Sequence, residues 1–129
     1  MLAIDTNVIV RLLVRHDDEQ LRRAKALLAS SEVFVANTVM LECEWVLRSA
    51  YKFDAASFVK GFRSFAGLAN VKPEDPQLAA AALEWHEQGM DFADAMHLGR
   101  AAGCEAFVSF DKGLARAAVK LGAMHVRAP

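Results

Sequence analysis

The chain has 129 residues, of which 54% are hydrophobic, and its 15 Lys and Arg against 16 Asp and Glu leave a net charge of −1. This apolar content excludes a disordered chain, and the near-neutral charge does not by itself indicate a nucleic-acid-binding protein. No apolar run approaches the roughly 18 residues of a membrane span, and the N-terminal MLAIDTN lacks the basic region of a signal peptide, so we expect a cytoplasmic protein.

Strands and helices alternate in the first half of the chain. MLAI, ending at Asp5, is predicted to be a strand, and TNVIVRLLVR has helical spacing. Asp17 or Asp18 caps a second predicted helix, DEQLRRAKALLAS, which is followed by the β-branched and aromatic strand EVFVAN. Thr38 begins a long helix, VMLECEWVLRSAYK, and Asp54 caps the next, AASFVKGFRSFAGLA.

The second half continues the alternation after a turn predicted at Lys72, Pro73, Asp75 and Pro76. The helix QLAAAALEWHEQ ends at Gly89, and the helix DFADAMHLGRAAG is closed by Gly103. EAFVSF is a strand, KGLARAAVKLG a helix and AMHVRAP a final strand. This order predicts a single α/β domain over residues 1–129. We expect three layers, with a central, mainly parallel sheet of four to five short strands flanked by helices.

Two carboxylates directly follow predicted strands. Asp5 terminates the first strand, and Asp111 follows the strand EAFVSF. Because the carboxyl ends of parallel strands gather at one edge of a sheet, both side chains are predicted to project from that edge. Each is equally explained as the N-cap of the helix that follows, since Asp is favoured there.

Two glutamates lie in the helix VMLECEWVL, which is apolar nearly all round and is therefore expected to be buried. Glu44 has Arg48 four residues later, which predicts a solvated ion pair. Glu42 has no cation within helical reach, and a buried, unpaired carboxylate costs several kcal/mol. We therefore expect Glu42 to meet a core arginine or a metal ion.

Asp91 and Asp94 are three residues apart and share one helix face. One interpretation is structural, with Asp91 as N-cap and Asp94 in the first turn, where an acid favours the helix dipole. The functional interpretation has Asp94 pointing into the acidic edge and Asp91 at its rim. His97 follows on the same helix, and a structural role is the default for such a histidine.

Several carboxylates in one pocket repel each other strongly. Two like charges 4 Å apart cost about 4 kcal/mol at an effective dielectric of 20, and a divalent cation reverses that sign. Ligation by oxygen alone favours Mg²⁺ or Mn²⁺ over zinc. Two such ions roughly 3.5–4 Å apart form the usual clamp for attack on a phosphodiester.

Four segments in this order resemble the PIN-domain ribonucleases, and most closely the VapC-type toxins of toxin–antitoxin pairs: MLAIDTNVIVRLL, VMLECEWVLRSAY, DFADAMHLGRA and FVSFDKGL. The resemblance covers nearly the whole chain and implies a PIN-like fold and a metal-dependent endoribonuclease. It further implies Mg²⁺ or Mn²⁺ as cofactor, RNA as substrate, a homodimer, and a cognate antitoxin that covers the active site. The alternative function is that of a non-catalytic RNA-binding or scaffold protein with the same fold.

Matched residue by residue, the resemblance implies a catalytic and metal-binding set of Asp5, Glu42, Asp94 and Asp111, with Asp91 as a further metal-binding acid. It places Asn7 and Ser109 at polar positions that orient the acids or a bound water. Four cations are separate candidates for contacts with RNA phosphates: Arg11, Arg15, Arg48 and Lys112.

Three phenylalanines form a stripe at helical spacing, namely Phe58, Phe62 and Phe65. Packing in the core is the default interpretation, and a groove or dimer face for a partner helix is the alternative. Stacking on bases is weaker, because stacking platforms usually expose their aromatic rings. The two cysteines, Cys43 and Cys104, lie in apolar segments and are predicted to be reduced core residues.

Overall fold

Helices and parallel strands alternate along residues 1–16 and 18–129, the part of the chain that the computed structural model describes. Asp17, one of the two caps predicted for the second helix, lies outside the described residues. The chain divides into two units, Met1–Pro76 and Gln77–Pro129.

The first unit contains a three-stranded parallel sheet in the order β1-β2-β3. Its strands are β1 (Leu2–Ala3), β2 (Val33–Val35) and β3 (Val71–Pro73). Its helices are α1 (Thr6–Val14), α2 (Glu19–Ser30), α3 (Asn37–Tyr51) and α4 (Ala55–Ala66). Helices occupy the connections because parallel neighbours need a crossover that returns the chain to the same end of the sheet. Helix α1 packs against both α2 and α3.

The phenylalanine stripe of α4 lies in the core, which confirms the default interpretation. The side chains of Phe58, Phe62 and Phe65 are all buried. Their ring centroids are 5.5 Å apart for Phe58 and Phe62 and 5.8 Å apart for Phe62 and Phe65, the latter pair edge to face. These are favourable aromatic geometries, so the stripe is neither an open groove nor a stacking platform.

Two elements of the first unit differ from the sequence prediction. Strand β3 occupies part of the predicted turn, because Val71 pairs with Val33 and Pro73 with Val35 of β2. Helix α3 begins at Asn37 rather than Thr38, and its N-cap, Ala36, offers no side-chain hydrogen bond. Instead Glu74 Oε1 accepts a hydrogen bond from the Asn37 N–H at 3.0 Å.

The second unit holds three helices and a two-stranded parallel sheet of β4 and β5. Its elements are α5 (Pro76–Glu87), which begins at the unit boundary, α6 (Phe92–Arg100), β4 (Phe107–Val108), α7 (Lys112–Leu121) and β5 (Val126–Arg127). Helix α6 ends at Arg100 and not near Gly103. Helix α7 is capped at its C-terminal end by Gly122, whose φ of 70° is the left-handed conformation that favours glycine.

The predicted fold class is confirmed: short parallel strands are accompanied by helices in both units. None of the described helices is long and apolar enough to cross a membrane. The prediction for the cysteines is half correct. Cys43 is fully buried, but Cys104 is exposed, because it lies in the turn after α6 rather than in an apolar strand.

Candidate active site

Asp5 lies in the connection between β1 and α1, directly before the first residue of α1. Its Oδ1 accepts a hydrogen bond from the Thr6 N–H at 2.8 Å, so Asp5 is the N-cap of α1. The side chain is exposed at this edge of the first unit. The capping interpretation is therefore correct, and it engages one oxygen of the carboxylate in that hydrogen bond.

Glu42 is held toward the start of α1 by a side-chain hydrogen bond between α1 and α3. The buried Thr6 hydroxyl donates to Glu42 Oε1. The neighbouring Cys43 thiol has its pKa raised to about 12, first by burial and then by the negative charges of Glu42 and Asp5. Both carboxylates therefore lie close enough to act on the same buried thiol, and the first unit brings Asp5 and Glu42 together.

The burial predicted for the two glutamates of α3 is wrong. Glu42 is exposed, whereas Glu44 is only 4% exposed. Glu44 accepts hydrogen bonds from Arg48 Nε at 2.8 Å and Nη2 at 3.3 Å, so the predicted pair exists but its carboxylate is buried. A buried carboxylate needs a cation, and Arg48 supplies it. Glu42 is therefore not a buried carboxylate that requires a core arginine or a metal ion, but it does lie beside Asp5.

Asp91 and Asp94 occupy the first turn of α6. Asp91 is the N-cap, and its Oδ2 accepts a hydrogen bond from the Asp94 N–H at 3.1 Å. Apolar residues hold this turn in the second unit, because Phe92, Ala95 and Met96 are buried. The structural interpretation of the pair is correct as far as it goes.

The pKa of Asp94 is raised, and a role in helix capping does not explain this shift. Partial burial raises the pKa of its carboxyl, and the negative charges of Asp91 and Asp111 raise it further, while His97 lowers it. Asp94 thus lies within electrostatic reach of the two other candidate acids of the second unit, Asp91 and Asp111. This mutual repulsion is the property expected of a cation site.

Asp111 is fixed by two hydrogen bonds, one from its backbone N–H and one to its side chain. Its N–H donates to Ser109 Oγ at 3.0 Å, and its Oδ1 accepts from the Leu114 N–H at 3.0 Å, which makes Asp111 the N-cap of α7. Ser109 thus contacts the backbone of a candidate acid. Asn7, in the first turn of α1, lines an open pocket.

The chemistry of the donors fits a hard divalent cation. All the candidate ligands are carboxylates, and Mg²⁺ keeps several of its waters while taking only one or two protein carboxylates directly. Within neither unit do the described residues already form a cluster of three His, Cys, Asp or Glu able to hold a metal ion. The fit therefore rests on the donor type and on the repulsion at Asp94, which a cation would relieve.

Two of the four cations predicted to contact RNA have partners within the first unit. Arg11 donates to the Tyr51 hydroxyl, its guanidinium lies 5.8 Å from the Tyr51 ring, and Asp18 is 3.9 Å away. Arg48 pairs with Glu44 and lies 5.3 Å from the ring of Trp45. Arg15 and Lys112 are exposed.

A pocket of about 530 Å³ between α1 and α2 adds a cation that the sequence did not single out. Asn7, Arg11, Gln20 and Arg23 provide its polar lining, with Val8 and Leu27 among its apolar residues. Arg23 is exposed on α2. Helical spacing places Arg23 on the polar face of α2, but only the packing of α1 against α2 turns that face into a pocket wall.

The chain is similar to known proteins of one family. A family model described as PIN domain matches residues 2–120. Among solved structures, the crystal structure of the Mycobacterium tuberculosis toxin VapC20, described as cleaving the sarcin-ricin loop, matches with 22% identity and a TM-score of 0.42. That match covers 91% of this chain and 95% of the toxin chain. No curated protein matches.

Proposed function

Because this chain belongs to the PIN-domain family, as the sequence motifs predicted, we propose that it is a metal-dependent endoribonuclease that cleaves RNA phosphodiester bonds. The observation that carries the proposal is the placement of the acids. In the first unit the charges of Asp5 and Glu42 both raise the pKa of the Cys43 thiol. In the second unit the charges of Asp91 and Asp111 both raise the pKa of Asp94. A non-catalytic member of the fold has no need of carboxylates that repel each other.

In this proposal Asp5, Glu42, Asp94 and Asp111 are the catalytic acids and hold Mg²⁺ or Mn²⁺, with Asp91 as an additional ligand. When bound, the ion would make a water more acidic and offset the charge that develops on the phosphate oxygens. The protein contributes by positioning. Thr6 holds the Glu42 carboxylate by its hydroxyl, and Ser109 holds the backbone of Asp111.

The test is cleavage of single-stranded RNA by the full chain in Mg²⁺ and, in parallel, in EDTA. We expect fragments in Mg²⁺, none in EDTA, and recovery when Mn²⁺ is added in excess. Cleavage that continues unchanged in EDTA would overturn the metal dependence. RNA binding without cleavage under every metal condition would instead favour the non-catalytic alternative.

The motif resemblance supports a narrower biological role, that of the toxin in a type II toxin–antitoxin pair. The protein would then act in the cytoplasm as a homodimer and be silenced by a cognate antitoxin that covers the acids. Suppression of RNA cleavage by the product of an adjacent gene tests the partner. Sedimentation of the purified protein tests the dimer.

Binding of a divalent cation should stabilise the folded protein. We expect Mg²⁺ or Mn²⁺ to raise the Tm, because a ligand that binds only the folded state at 100 times its Kd adds about 2.7 kcal/mol. Differential scanning fluorimetry with and without metal measures the shift. Asp94→Asn should reduce it, whereas Asp54→Asn, at the N-cap of α4, should leave it intact. An equal shift in wild type and Asp94→Asn would remove Asp94 from the metal site.

Without metal, Asp94→Asn should be more stable than wild type at pH 7. The raised pKa means that the folded protein binds the Asp94 proton more tightly than the unfolded chain, so ionisation of Asp94 opposes folding above its folded pKa. Because water screens this partly exposed group, the gain is no more than about 1 kcal/mol. It should disappear at pH values below the ordinary pKa of 3.8, where both states are protonated.

Asp54→Asn is expected to have the opposite effect on stability and so provides the control. The side-chain and backbone hydrogen bonds of Ser57 lower the pKa of the Asp54 carboxyl. Its charge therefore favours folding above the unfolded pKa, and that contribution is lost as the pH falls through the folded pKa. Urea unfolding in EDTA at pH 7 and at pH 3 measures both variants. A lower stability of Asp94→Asn at pH 7 would contradict the repulsion at Asp94.

Arg23 should contribute to RNA binding through the pocket between α1 and α2. We expect Arg23→Ala to weaken binding to all single-stranded RNA sequences alike and to reduce the slope of log K against log[salt] by about 0.7, the value for one phosphate contact. Fluorescence anisotropy between about 50 and 200 mM salt measures this slope. Lys25→Ala, on the same helix but outside the pocket lining, is the matched control and should behave as wild type. Equal slopes for Arg23→Ala and wild type would exclude the contact.

A further inference from the structure

Phe110 is the most exposed large apolar side chain of the second unit. It lies between β4 and α7, and 87% of its surface is accessible to water. The three phenylalanines of α4 are, by contrast, at most 5% exposed. A large aromatic ring left in water forgoes the burial that stabilises the others, so its position calls for an explanation outside the core.

The backbone on the C-terminal side of Phe110 is firmly held. The two hydrogen bonds of Asp111, from its N–H to Ser109 Oγ and from the Leu114 N–H to its Oδ1, are both 3.0 Å long. They fix the residues immediately before and after Phe110. The ring is therefore presented from an ordered turn and not from a loose loop, which lowers the entropic cost of using it as a contact.

This ring also lies next to one of the candidate acids. Phe110 immediately precedes Asp111, the candidate metal ligand that Ser109 and the Leu114 N–H hold in place. An exposed aromatic ring next to a carboxylate that would hold a cation is placed to meet a base that flanks the bound phosphate. Single-stranded nucleic acids are commonly gripped by bases stacking on exposed aromatic rings, and this grip tolerates any base.

We propose that Phe110 is a stacking platform for a nucleobase of single-stranded RNA next to the phosphodiester that is cleaved. The inference rests on the proposed ribonuclease function and adds to it a contact that binds the substrate through its base. The platform does not take part in bond breaking. It holds the RNA strand in register over Asp94 and Asp111.

The test is binding of a fluorescein-labelled single-stranded RNA to the full chain in EDTA, where the proposed cleavage is off. We expect Phe110→Ala to bind about 5- to 150-fold more weakly than wild type, the range for loss of one stacked base. Phe110→Leu should be nearly as weak, because it keeps apolar bulk without a ring face. Phe110→Trp should bind as tightly as wild type, because it keeps an aromatic face. Val119→Ala, which alters another exposed apolar residue of the second unit, should bind as wild type.

Abasic RNAs identify the contact itself. Bases are removed from the RNA one at a time. Removal at one position should weaken RNA binding by wild type. Removal at the same position should not weaken RNA binding by Phe110→Ala any further. Equal binding by wild type, Phe110→Ala and Phe110→Leu would overturn the platform while leaving RNA cleavage as proposed. Unchanged RNA binding with loss of a dimer in Phe110→Ala would assign the ring to contact with a second copy instead. A wild type that neither binds nor cuts RNA would overturn both proposals.

Discussion

Asp94→Asn should cut RNA at least about 100-fold more slowly than wild type in saturating Mg²⁺. Asparagine keeps the size of the side chain but removes the charge that binds the cation. Loss of groups that merely support metal ligands already costs 10- to 100-fold, so loss of a ligand should cost more. Single-turnover cleavage of a labelled RNA measures the rate, and Asp5→Asn should show a loss of the same order from the other unit.

Stability separates this loss from simple unfolding. Asp94→Asn should be at least as stable as wild type in EDTA, because it relieves repulsion from Asp91 and Asp111. The control is Asp54→Asn, which makes the same chemical change at the N-cap of α4. It should cleave as wild type, because Asn is still a good N-cap and Asp54 is not one of the candidate catalytic acids. Full activity in a folded Asp94→Asn protein would exclude Asp94 from the catalytic set.

Phe62→Ala should destabilise the protein by about 3–5 kcal/mol, the usual cost of deleting a buried phenylalanine. Phe62 is fully buried and contacts both other rings of its stripe, so the cavity would open at the centre of the aromatic cluster. Small proteins are stable by only about 5–15 kcal/mol, so the variant should be close to unfolding at 37 °C. Urea unfolding measures the change.

Phe110→Ala is the matched control for that experiment. It deletes the same ring from a site that is 87% exposed, and surface substitutions usually change stability by no more than about 0.5 kcal/mol. The two variants together separate burial of the ring from its mere removal. A Phe62→Ala protein as stable as Phe110→Ala would show that the stripe does not support the core.

Local signals account for the elements that the sequence predicted well. Asp18, Asp54, Asp91 and Asp111 each cap the helix expected of them, because a capping hydrogen bond spans only three residues. Such bonds depend on neighbours in the chain and on little else. The element types of most of the chain follow from these caps and from hydrophobic spacing.

The sequence predictions are wrong at elements whose boundaries depend on contacts with distant segments of the chain. Strand β3 exists because it pairs with β2, and α3 starts one residue early because Glu74 reaches its first N–H from the end of β3. Neither partner is visible in the local sequence. Proline at position 73 also favours a turn, although an edge strand such as β3 can accommodate proline.

Four of the candidate acids, Asp5, Asp91, Asp94 and Asp111, follow from strand ends and helix starts, which can be predicted from the sequence. Glu42 was predicted from an expected burial that the structure contradicts. Glu42 and Glu44 are two residues apart, so they point in nearly opposite directions on a helix of 3.6 residues per turn. With an apolar sequence around both, periodicity could not tell which one faces the core. Exposure of Phe110 and the pocket beside Arg23 depend on packing between elements, which no spacing rule encodes.

The unequal cysteines have a practical consequence for anyone who purifies this protein. Cys104 is exposed on a turn, while Cys43 is sealed in the interior and its thiol stays protonated. In air, two molecules can therefore join through Cys104 alone, and a covalent pair of this kind would migrate as a dimer on a non-reducing gel. A reductant, or Cys104→Ser, distinguishes that artefact from genuine self-association, and the same thiol offers a single attachment point for a fluorophore.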